Sequence, residues 1–453
     1  MQRQIMVVIL AAGKGMRMHS DLPKVLHTLA GRPLIQCLVR TVEGLVPERI
    51  LVIVGPGMEA VTRTVAPHRT FLQSQQLGTG HAIISARKCL DEFKGEILVL
   101  CGDTPLLPLS ALTKMLAAMR AADSQTCLVV LGFHLRNPEG YGRLITASDG
   151  TLLSIVEHKD ATFSQKTITL CNTGAMIVRS EYLFPLIEKI RNENASGEYY
   201  LTDIIATANS RGLRCSYVEV ENESVELCGI NTQRDLARAE AFVQKQLRGA
   251  MLDSGVSLVD PLTVHCCFDT KIGRNVVIHP YVVFGSGVTI EDNVEIRSFC
   301  HLEQSTVSAG ARVGPYARLR PGTIIHANAH IGNFVEVKEA IIEEGAKINH
   351  LSYIGDGRVG TGANIGAGTI FCNYNGYVKA STDIGAGAFI GSNAALVAPV
   401  KIGAGAIIGA GSVITKDVSD NALAVTRCVQ REMPGWAVLR RLRNGARKSA
   451  QKK

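Results

Sequence analysis

A glycine-rich segment near the start of the chain carries residue types that bind phosphate. Residues 10–24, "LAAGKGMRMHSDLPK", follow the apolar run "IMVVIL" and place Lys14, Arg17 and Lys24 close together. Backbone N–H groups in such a loop converge on oxyanions, and fixed cations beside them suit a triphosphate and its departing pyrophosphate. The segment matches neither the P-loop motif GxxxxGK[ST] nor the dinucleotide-binding motif GxGxxG, so it predicts a nucleotide site of another kind.

A carboxylate is expected beside this loop. The stretch "CGDTPLL" at 101–107 follows the apolar run "EILVL", which places Asp103 just beyond the end of a predicted strand. Open α/β sheets bind ligands outside the carboxyl ends of their strands, where a carboxylate can hold Mg²⁺ against phosphates. The alternative is that Asp103 only caps the next helix.

The elements around these residues predict the architecture of the first half. Residues 1–232 alternate apolar runs with helical patterns, which is typical of a Rossmann-like α/β domain whose mostly parallel sheet is covered on both faces. Residues 233–253 have helical periodicity and predict a helical linker.

The second half, residues 254–453, has a different period. From Ile272 onward an aliphatic residue recurs every six positions, as at Ile278 and Phe284, and many units contain "IGxGA". Three such hexads close one triangular coil, with the aliphatic residue inside and Gly or Asn expected at the turn. We therefore predict a parallel β-helix, which is left-handed in its hexapeptide form, an exception to the right-handed crossover rule.

Charge and cysteine content limit the classes of protein. The net charge of +8 is concentrated in residues 436–453, which contain seven Lys/Arg and no Asp or Glu. This tail is either a solvated terminus or an attractor of polyanions, and no interleaved aromatics favour nucleic acid. Twelve Cys without a CxxC pair indicate a reduced, cytoplasmic protein, and no apolar run is long enough to span a membrane.

The motifs of the first half resemble those of the sugar-nucleotide pyrophosphorylases, which join a sugar 1-phosphate to a nucleoside triphosphate. Matching stretches after the loop are "QSQQLGTGHA", "CGDTPLL", "GYGR", "IVEHKD", "CNTGAMIV" and "GIN". The resemblance implies that Arg17 and Lys24 are catalytic and that Asp103 and Asn231 hold Mg²⁺. It further implies a site for UTP and the UDP-sugar formed by Leu10, Ala11, Ala12, Gly13, Lys24, Gln73, Gly78, Thr79, Cys101, Gly102, Asp103, Gly142, Glu157, Asn172 and Asn231.

The β-helix also contains polar residues that a structural prism does not need. His350 lies three residues before Tyr353, and Arg320 and Lys338 occur on preceding repeats. Taken alone, His350 would be incidental. Within this set, histidine can deprotonate an attacking amine near neutral pH, and the cations can grip a sugar phosphate.

Both halves together resemble the bifunctional N-acetylglucosamine-1-phosphate uridyltransferases / glucosamine-1-phosphate acetyltransferases, from about residue 5 to Arg427. The resemblance implies that His350 is the general base and that the chain forms a homotrimer whose subunits share the acetyltransferase sites. The implied ligands of the amino-sugar phosphate are Arg320, Lys338, Tyr353, Asn364 and Lys379. The implied acetyl-CoA contacts are Ala367, Asn373, Tyr374, Ser392, Ala410 and Arg427.

Three alternatives stay open from the residues alone. The chain could activate another sugar and use a merely structural β-helix. His326, His330 and His350 could form a metal hydratase site, although a four-residue spacing does not align side chains on stacked coils as it does on an α-helix. Third, the chain could be a non-catalytic assembly subunit, although such a subunit would not need Asp103 together with Lys24.

Overall fold

The computed structural model describes residues 4–220 and 225–450. The chain forms two compact units, Met1–Gly249 with Cys266–Phe268, and Ala250–His265 with Asp269–Lys453. The sequence places a linker at 233–253; the structure has one helix there, Gln233–Asp253, and groups it up to Gly249 with the first unit.

The first unit is built on a mostly parallel sheet. Its strands are β1 (Gln4–Leu10), β2 (Thr28–Leu29), β3 (Arg32–Pro33), β4 (Arg49–Val54), β5 (Arg69–Leu72), β6 (Gly95–Cys101), β7 (Thr126–His134), β8 (Arg143–Thr146), β9 (Leu152–Val156), β10 (Leu170–Arg179) and β11 (Arg214–Val220). The main sheet has the order β11-β7-β10-β6-β1-β4-β5, and β10 runs antiparallel to its neighbours β6 and β7. The hairpin β8–β9 joins the sheet through β10.

Helices cover both faces of this sheet. On one face lie α1 (Leu34–Glu43), α2 (Glu59–Thr64) and α5 (Leu109–Ala121), and on the other lie α3 (Thr79–Ser85), α4 (Arg87–Leu90), α7 (Ser180–Ile187) and α8 (Ile204–Ser210). The helices α6 (Phe163–Lys166) and α9 (Gln233–Asp253) contribute no residue to the two core clusters on these faces. Along β1, Val7 packs in one core cluster and Val8 in the other, because successive strand residues point to opposite faces. The continuous apolar runs are therefore strands that are buried on both faces, as predicted. The α/β fold of this half is confirmed.

The second unit is a parallel β-helix, also as predicted. Its strands are β12 (Ser257–Leu258), β13 (Lys271–Ile272), β14 (Val277–Ile278), β15 (Val283–Phe284), β16 (Thr289–Ile290), β17 (Glu295–Ile296), β18 (His301–Leu302), β19 (Ser305–Val307), β20 (Arg312–Val313), β21 (Arg318–Leu319), β22 (Thr323–Ile325), β23 (His330–Asn333), β24 (Glu336–Ile342), β25 (Lys347–His350), β26 (Tyr353–Val359), β27 (Asn364–Ile365), β28 (Ile370–Cys372), β29 (Thr382–Ile384), β30 (Phe389–Ile390), β31 (Ala395–Val397), β32 (Val400–Ile402), β33 (Ile407–Ile408), β34 (Val413–Ile414) and β35 (Leu423–Ala424).

The register explains the six-residue period. Ile278 pairs with Ile296, eighteen residues later, so three hexads make one coil and the aliphatic residues stack inside. Where the sequence takes a five-residue step, the coil shortens, as in the pairing of Ile296 with Val313. The interior column stays apolar because each pairing keeps the same side chain facing inward.

One corner of the prism differs from the prediction. Gly or Asn was expected at the turns, and Asn275 and Asn293 fit this, but Tyr281, Phe299 and Tyr316 also adopt positive φ. Their rings stack at centroid distances of 5.0 and 4.7 Å, and the stack continues to a fourth aromatic ring. The coil repeat of about 4.8 Å suits ring stacking, which offsets the cost of the left-handed backbone.

The last element in the described residues is helix α10 (Trp436–Ala450). In the part of the chain that the structure describes, no helix combines the length and apolar character needed to cross a bilayer.

Candidate active sites

A cavity of about 490 Å³ opens in the first unit beside the carboxyl ends of β1 and β6. Several residues from distant positions in the sequence line it. Those expected from the sequence are Leu10, Arg17, Thr79, Cys101, Asp103, Gly142, Glu157, Asn172 and Asn231. The structure therefore gathers in one place residues from all of the matched stretches.

A charged cluster lies at one side of this cavity. The Lys24 Nζ donates hydrogen bonds to Asp103 Oδ2 at 2.6 Å and to Asn231 Oδ1 at 3.1 Å. Arg17 also donates to Asn231 Oδ1, at 2.9 Å. Two side-chain oxygens, one of them charged, thus converge on a single ammonium group.

The oxygens of this cluster fit a hard divalent cation. Carboxylate and amide oxygens are ligands that such cations prefer, and Mg²⁺ in particular takes few protein ligands and completes its shell with phosphates and water. Among residues 4–220 and 225–450 no group of three or more His, Cys, Asp or Glu side chains could hold a metal, so Asp103 and Asn231 would supply only part of a shell. This composition fits a cation that arrives with a nucleotide.

Asn231 is fixed by the start of helix α9. Asp235 accepts hydrogen bonds from the backbone N–H groups of Asn231 and Thr232, at 3.1 and 2.9 Å. The N–H of Ile230 donates to the carbonyl of Asp103 at 2.8 Å, which ties this segment to the loop after β6. A carboxylate in the first turn is favourable because it satisfies free amides and the helix dipole.

The glycine-rich loop approaches Lys24 closely. Gly15 has φ of 65°, and a Cβ there would lie 2.6 Å from the Lys24 Cβ, so a larger residue would displace the lysine. The Gln76 amide donates to the Ala12 carbonyl, and the Gly102 N–H donates to the Leu10 carbonyl. Six other residues that were expected to bind the nucleotide do not line the cavity, namely Ala11, Ala12, Gly13, Lys24, Gly78 and Gly102.

The loop at residues 73–82, which contains the matched stretch "QSQQLGTGHA", is held by internal hydrogen bonds. Gln73 is buried and does not line the cavity; its amide donates to the Gly78 carbonyl at 3.1 Å. Gly78, with φ of 108°, directly precedes α3, and Thr79 Oγ1 accepts from the Leu201 N–H at 2.9 Å. The segment that includes Leu201 was missed by sequence reasoning; its only signal is the run "EYYLTD" before a helix.

A half-buried carboxylate, that of Glu157, also lines this cavity. Desolvation raises the pKa of Glu157, and its Oε1 accepts a hydrogen bond from Thr202 at 3.3 Å. A Cβ on Gly142 would lie 3.3 Å from the Glu157 carboxylate, so glycine keeps this space open. The Asn172 N–H donates to the Gly142 carbonyl at 2.9 Å. These contacts join three of the matched stretches.

The cavity contains a thiol but no activated nucleophile at that position. Burial, together with the charge of Asp103, raises the pKa of Cys101 to about 12. The thiol is therefore protonated at neutral pH, and a protonated thiol is a poor nucleophile. This favours direct transfer between bound substrates over a covalent intermediate on Cys101.

The second unit aligns the expected base and cofactor residues in one column. Asn333 pairs with His350, and Ile348, Ile365, Ile390 and Ile408 mark the same position on successive coils. The residues two places further along are His350, Ala367, Ser392 and Ala410. Backbone hydrogen bonds connect neighbouring coils at each step of this column.

The imidazole of His350 is oriented by a side chain on the preceding coil. His350 Nδ1 lies 2.7 Å from Asn333 Oδ1, so Nδ1 carries the proton and donates to the amide oxygen. The lone pair is then on Nε2, which is free to accept a proton. Asn333 was not among the residues expected from the sequence, because only the register of the coils brings it to His350.

The cations expected to hold a sugar phosphate are each paired with a carboxylate. Arg320 donates to Glu336 Oε1 at 2.8 Å, and this bond raises the arginine pKa. Lys338 lies 3.5 Å from Glu339 and 4.0 Å from Asp356. Lys379 also contacts Glu339, at 3.6 Å. Sequence reasoning missed these carboxylates, which hold the cations in place.

The coil that pairs Val359 with Ile384 is longer than the others, and its extra residues supply further expected contacts. Asn373 is buried and its amide donates to Tyr353 Oη at 3.3 Å and to Asp356. Tyr374 forms a bridge with Lys379 across the loop. Asn364 was expected to bind the sugar phosphate together with Tyr353, but it lies in a different sheet, where it pairs with Lys347 and Phe389.

Arg427 lies at the far end of the column. A Cβ on Gly409 would lie 3.6 Å from its guanidinium group, and one on Gly411 would lie 3.7 Å from its Cδ. Arg427 thus packs over the backbone on both sides of Ala410. The column therefore ends in a cation that suits a phosphate-bearing cofactor.

Family models match both halves. The MobA-like NTP transferase domain matches residues 7–159, and the bacterial transferase hexapeptide model matches residues 269–304 and 381–416. The fold and the two groups of polar residues thus define a transferase that joins a nucleotidyltransferase domain to a left-handed hexapeptide β-helix.

Full-length relatives identify the family. "Bifunctional protein GlmU" of Paramagnetospirillum magneticum is 55% identical over 446 residues, 98% of this chain and 98% of the relative. Proteins of the same name from Rhodospirillum rubrum and Jannaschia sp. are 55% and 50% identical, covering 95% and 100% of this chain and 96% and 99% of the relatives. The chain belongs to the GlmU family and is a bifunctional uridyltransferase and acetyltransferase, and the alternative of a merely structural β-helix is not favoured.

Proposed function

We propose that the two units catalyse consecutive steps in the synthesis of UDP-N-acetylglucosamine. The second unit transfers the acetyl group of acetyl-CoA to glucosamine 1-phosphate. The first unit then transfers uridylyl from UTP to the N-acetylglucosamine 1-phosphate so formed and releases pyrophosphate. The observation that carries this assignment is the column of His350, Ala367, Ser392 and Ala410, since it places a base at one end of a row of small residues.

In the acetyl transfer, His350 acts as general base. The amine of the sugar attacks the thioester carbonyl, and Nε2 of His350 takes a proton from that amine. The carbon–sulfur bond then breaks, and the coenzyme leaves as a thiol after its sulfur takes up the proton held by the His350 imidazolium. Asn333 stabilises the imidazolium, because its amide oxygen accepts the Nδ1–H throughout.

The sugar phosphate and the cofactor occupy opposite sides of His350. Arg320, Lys338 and Lys379 bind the phosphate, with Tyr353 and Asn364 as further sugar contacts. The thioester arm runs along the coils, where Ala367, Ser392 and Ala410 leave room for it at steps of about 4.8 Å. Asn373, Tyr374 and Arg427 complete the acetyl-CoA contacts.

In the uridylyl transfer, positioning and charge neutralisation do most of the work. A phosphate oxygen of the sugar phosphate attacks the α-phosphorus of UTP, and the bond to the β-phosphate breaks. Lys24 and Arg17 stabilise the departing pyrophosphate, while Glu157, Asn172 and Gly142 hold the sugar and ribose. Asp103 and Asn231 would hold Mg²⁺, which would neutralise phosphate charge when bound.

The remaining parts of the proposal concern assembly and location. We propose that the domains are 1–232 and 254–453 with the helix 233–253 between them. We also propose a cytoplasmic homotrimer, because a three-sided prism suits cyclic threefold association and the aromatic corner exposes apolar surface. UDP-N-acetylglucosamine would then supply cell-wall synthesis.

Two variants test the division of labour, with each half reaction measured separately by mass spectrometry. His350→Ala should lower acetyl transfer at least about 100-fold while leaving uridylyl transfer unchanged. Asp103→Asn should do the reverse, so each variant serves as the matched control for the other. Acetyl transfer that survives in His350→Ala, or loss of both activities in either folded variant, would overturn the assignment.

A further inference from the structure

The C-terminal helix α10 has one exposed apolar face. Val438, Leu439 and Leu442 are spaced one and three residues apart and so share a side of the helix. Their exposed fractions are 55%, 57% and 67%. Neither transferase site uses these residues, and such large apolar side chains in one row are costly to leave in water.

The rest of the helix is strongly basic. Residues 436–450 contain five cations and no Asp or Glu. The cations are Arg440, Arg441, Arg443, Arg447 and Lys448. The Arg440 guanidinium lies over the ring of Trp436 at 5.1 Å, on a side away from the apolar row. Among residues 436–444, the Arg440 side chain thus lies on a different side of the helix axis from the apolar row.

We propose that α10 is a docking element for an anionic phospholipid bilayer. The apolar row would enter the boundary between headgroups and acyl chains, and the arginines would pair with lipid phosphates. A nucleic acid would satisfy the cations but leave Leu439 and Leu442 in water. An anionic bilayer uses both features together, since its charged surface has an apolar layer beneath it. This property lies beyond the two transferase activities.

The binding should be weak and reversible. One helix with three large apolar side chains inserts little area, so the attraction of its cations for an anionic surface is needed as well. Binding should therefore fall when salt screens the charges, and fall again when the apolar row is made polar.

Vesicle co-sedimentation of the full-length protein tests the proposal. Vesicles of phosphatidylcholine with a quarter phosphatidylglycerol should bind the protein in about 0.1 M salt, whereas pure phosphatidylcholine vesicles should not. The double variant Leu439→Gln, Leu442→Gln should bind at least about tenfold more weakly. The control Val46→Gln, Leu262→Gln, at two exposed apolar positions outside the helix, should bind like the unchanged protein.

Other outcomes would overturn the proposal. One is no binding to the anionic vesicles. A second is binding that the Leu439 and Leu442 changes leave intact, which would indicate charge attraction alone and would be matched by binding to a single-stranded RNA. A third is a change of oligomeric state in the double variant without a change in vesicle binding, which would assign the apolar row to a second copy of the chain.

Discussion

Replacing Asn333 tests the orientation of the acetyltransferase base. The 2.7 Å contact between Asn333 Oδ1 and His350 Nδ1 is made both to the neutral imidazole and to the imidazolium that forms during transfer. A neutral hydrogen bond contributes about 1 kcal/mol, and one to a charged group contributes about 2–2.5 kcal/mol. The bond is therefore stronger by about 1–1.5 kcal/mol in the transition state, which corresponds to roughly tenfold in rate.

Asn333→Ala should lower kcat for acetyl transfer about tenfold, with uridylyl transfer in the same sample as the internal control. Asn333→Asp should retain more activity and should move the acid limb of the acetyl-transfer pH profile to higher pH, because a carboxylate stabilises the imidazolium. A purely structural role for Asn333 would not shift that limb. Unchanged kcat and pH profiles in both variants would refute the orientation argued for His350.

Two further changes probe the cavity and the column. Burial raises the pKa of Glu157, so its ionised form destabilises the folded state. This loss of folding stability is absent below the usual carboxyl pKa and is complete above the raised pKa. Glu157→Gln should therefore raise Tm at about pH 8 but not at about pH 3, and uridylyl transfer should fall. Equal Tm shifts at the two pH values would contradict this. Ser392→Trp should raise the KM for acetyl-CoA at least about tenfold, since the indole would fill the column. Ala404→Trp, at another corner of the prism, should leave the KM for acetyl-CoA unchanged. An equal rise in KM for both variants would exclude the proposed cofactor path.

The sequence predicted the fold well because its two periodicities have separate physical causes. A parallel sheet covered on both faces requires continuous apolar runs such as β1, and a triangular coil requires an inward aliphatic residue every sixth position, as at Ile290. The aromatic corner at Tyr281 and Phe299 was not predictable in this way. Stacking between coils depends on which turn residues share a corner, and five-residue steps alter that register.

The site residues were predictable where a local motif carries the chemistry. Asp103 and Lys24 belong to such motifs, and the structure brings them to 2.6 Å. Asn333 was not predictable, because only the register between coils brings it to His350. Thr202 was not predictable either, because it lies in a loop without a distinct sequence pattern. Gln73 shows the converse, since a residue assigned to substrate by its motif is buried and supports the loop instead.

A coupled reaction gives the most direct test of the whole account. Purified protein would be incubated with glucosamine 1-phosphate, acetyl-CoA and Mg²⁺, with and without UTP, and the products followed by mass spectrometry. The account predicts that N-acetylglucosamine 1-phosphate accumulates without UTP and becomes UDP-N-acetylglucosamine when UTP is present. If the acetylated sugar phosphate never forms, yet added N-acetylglucosamine 1-phosphate is still uridylylated, the β-helix has no acetyltransferase site and the role given to His350 is wrong.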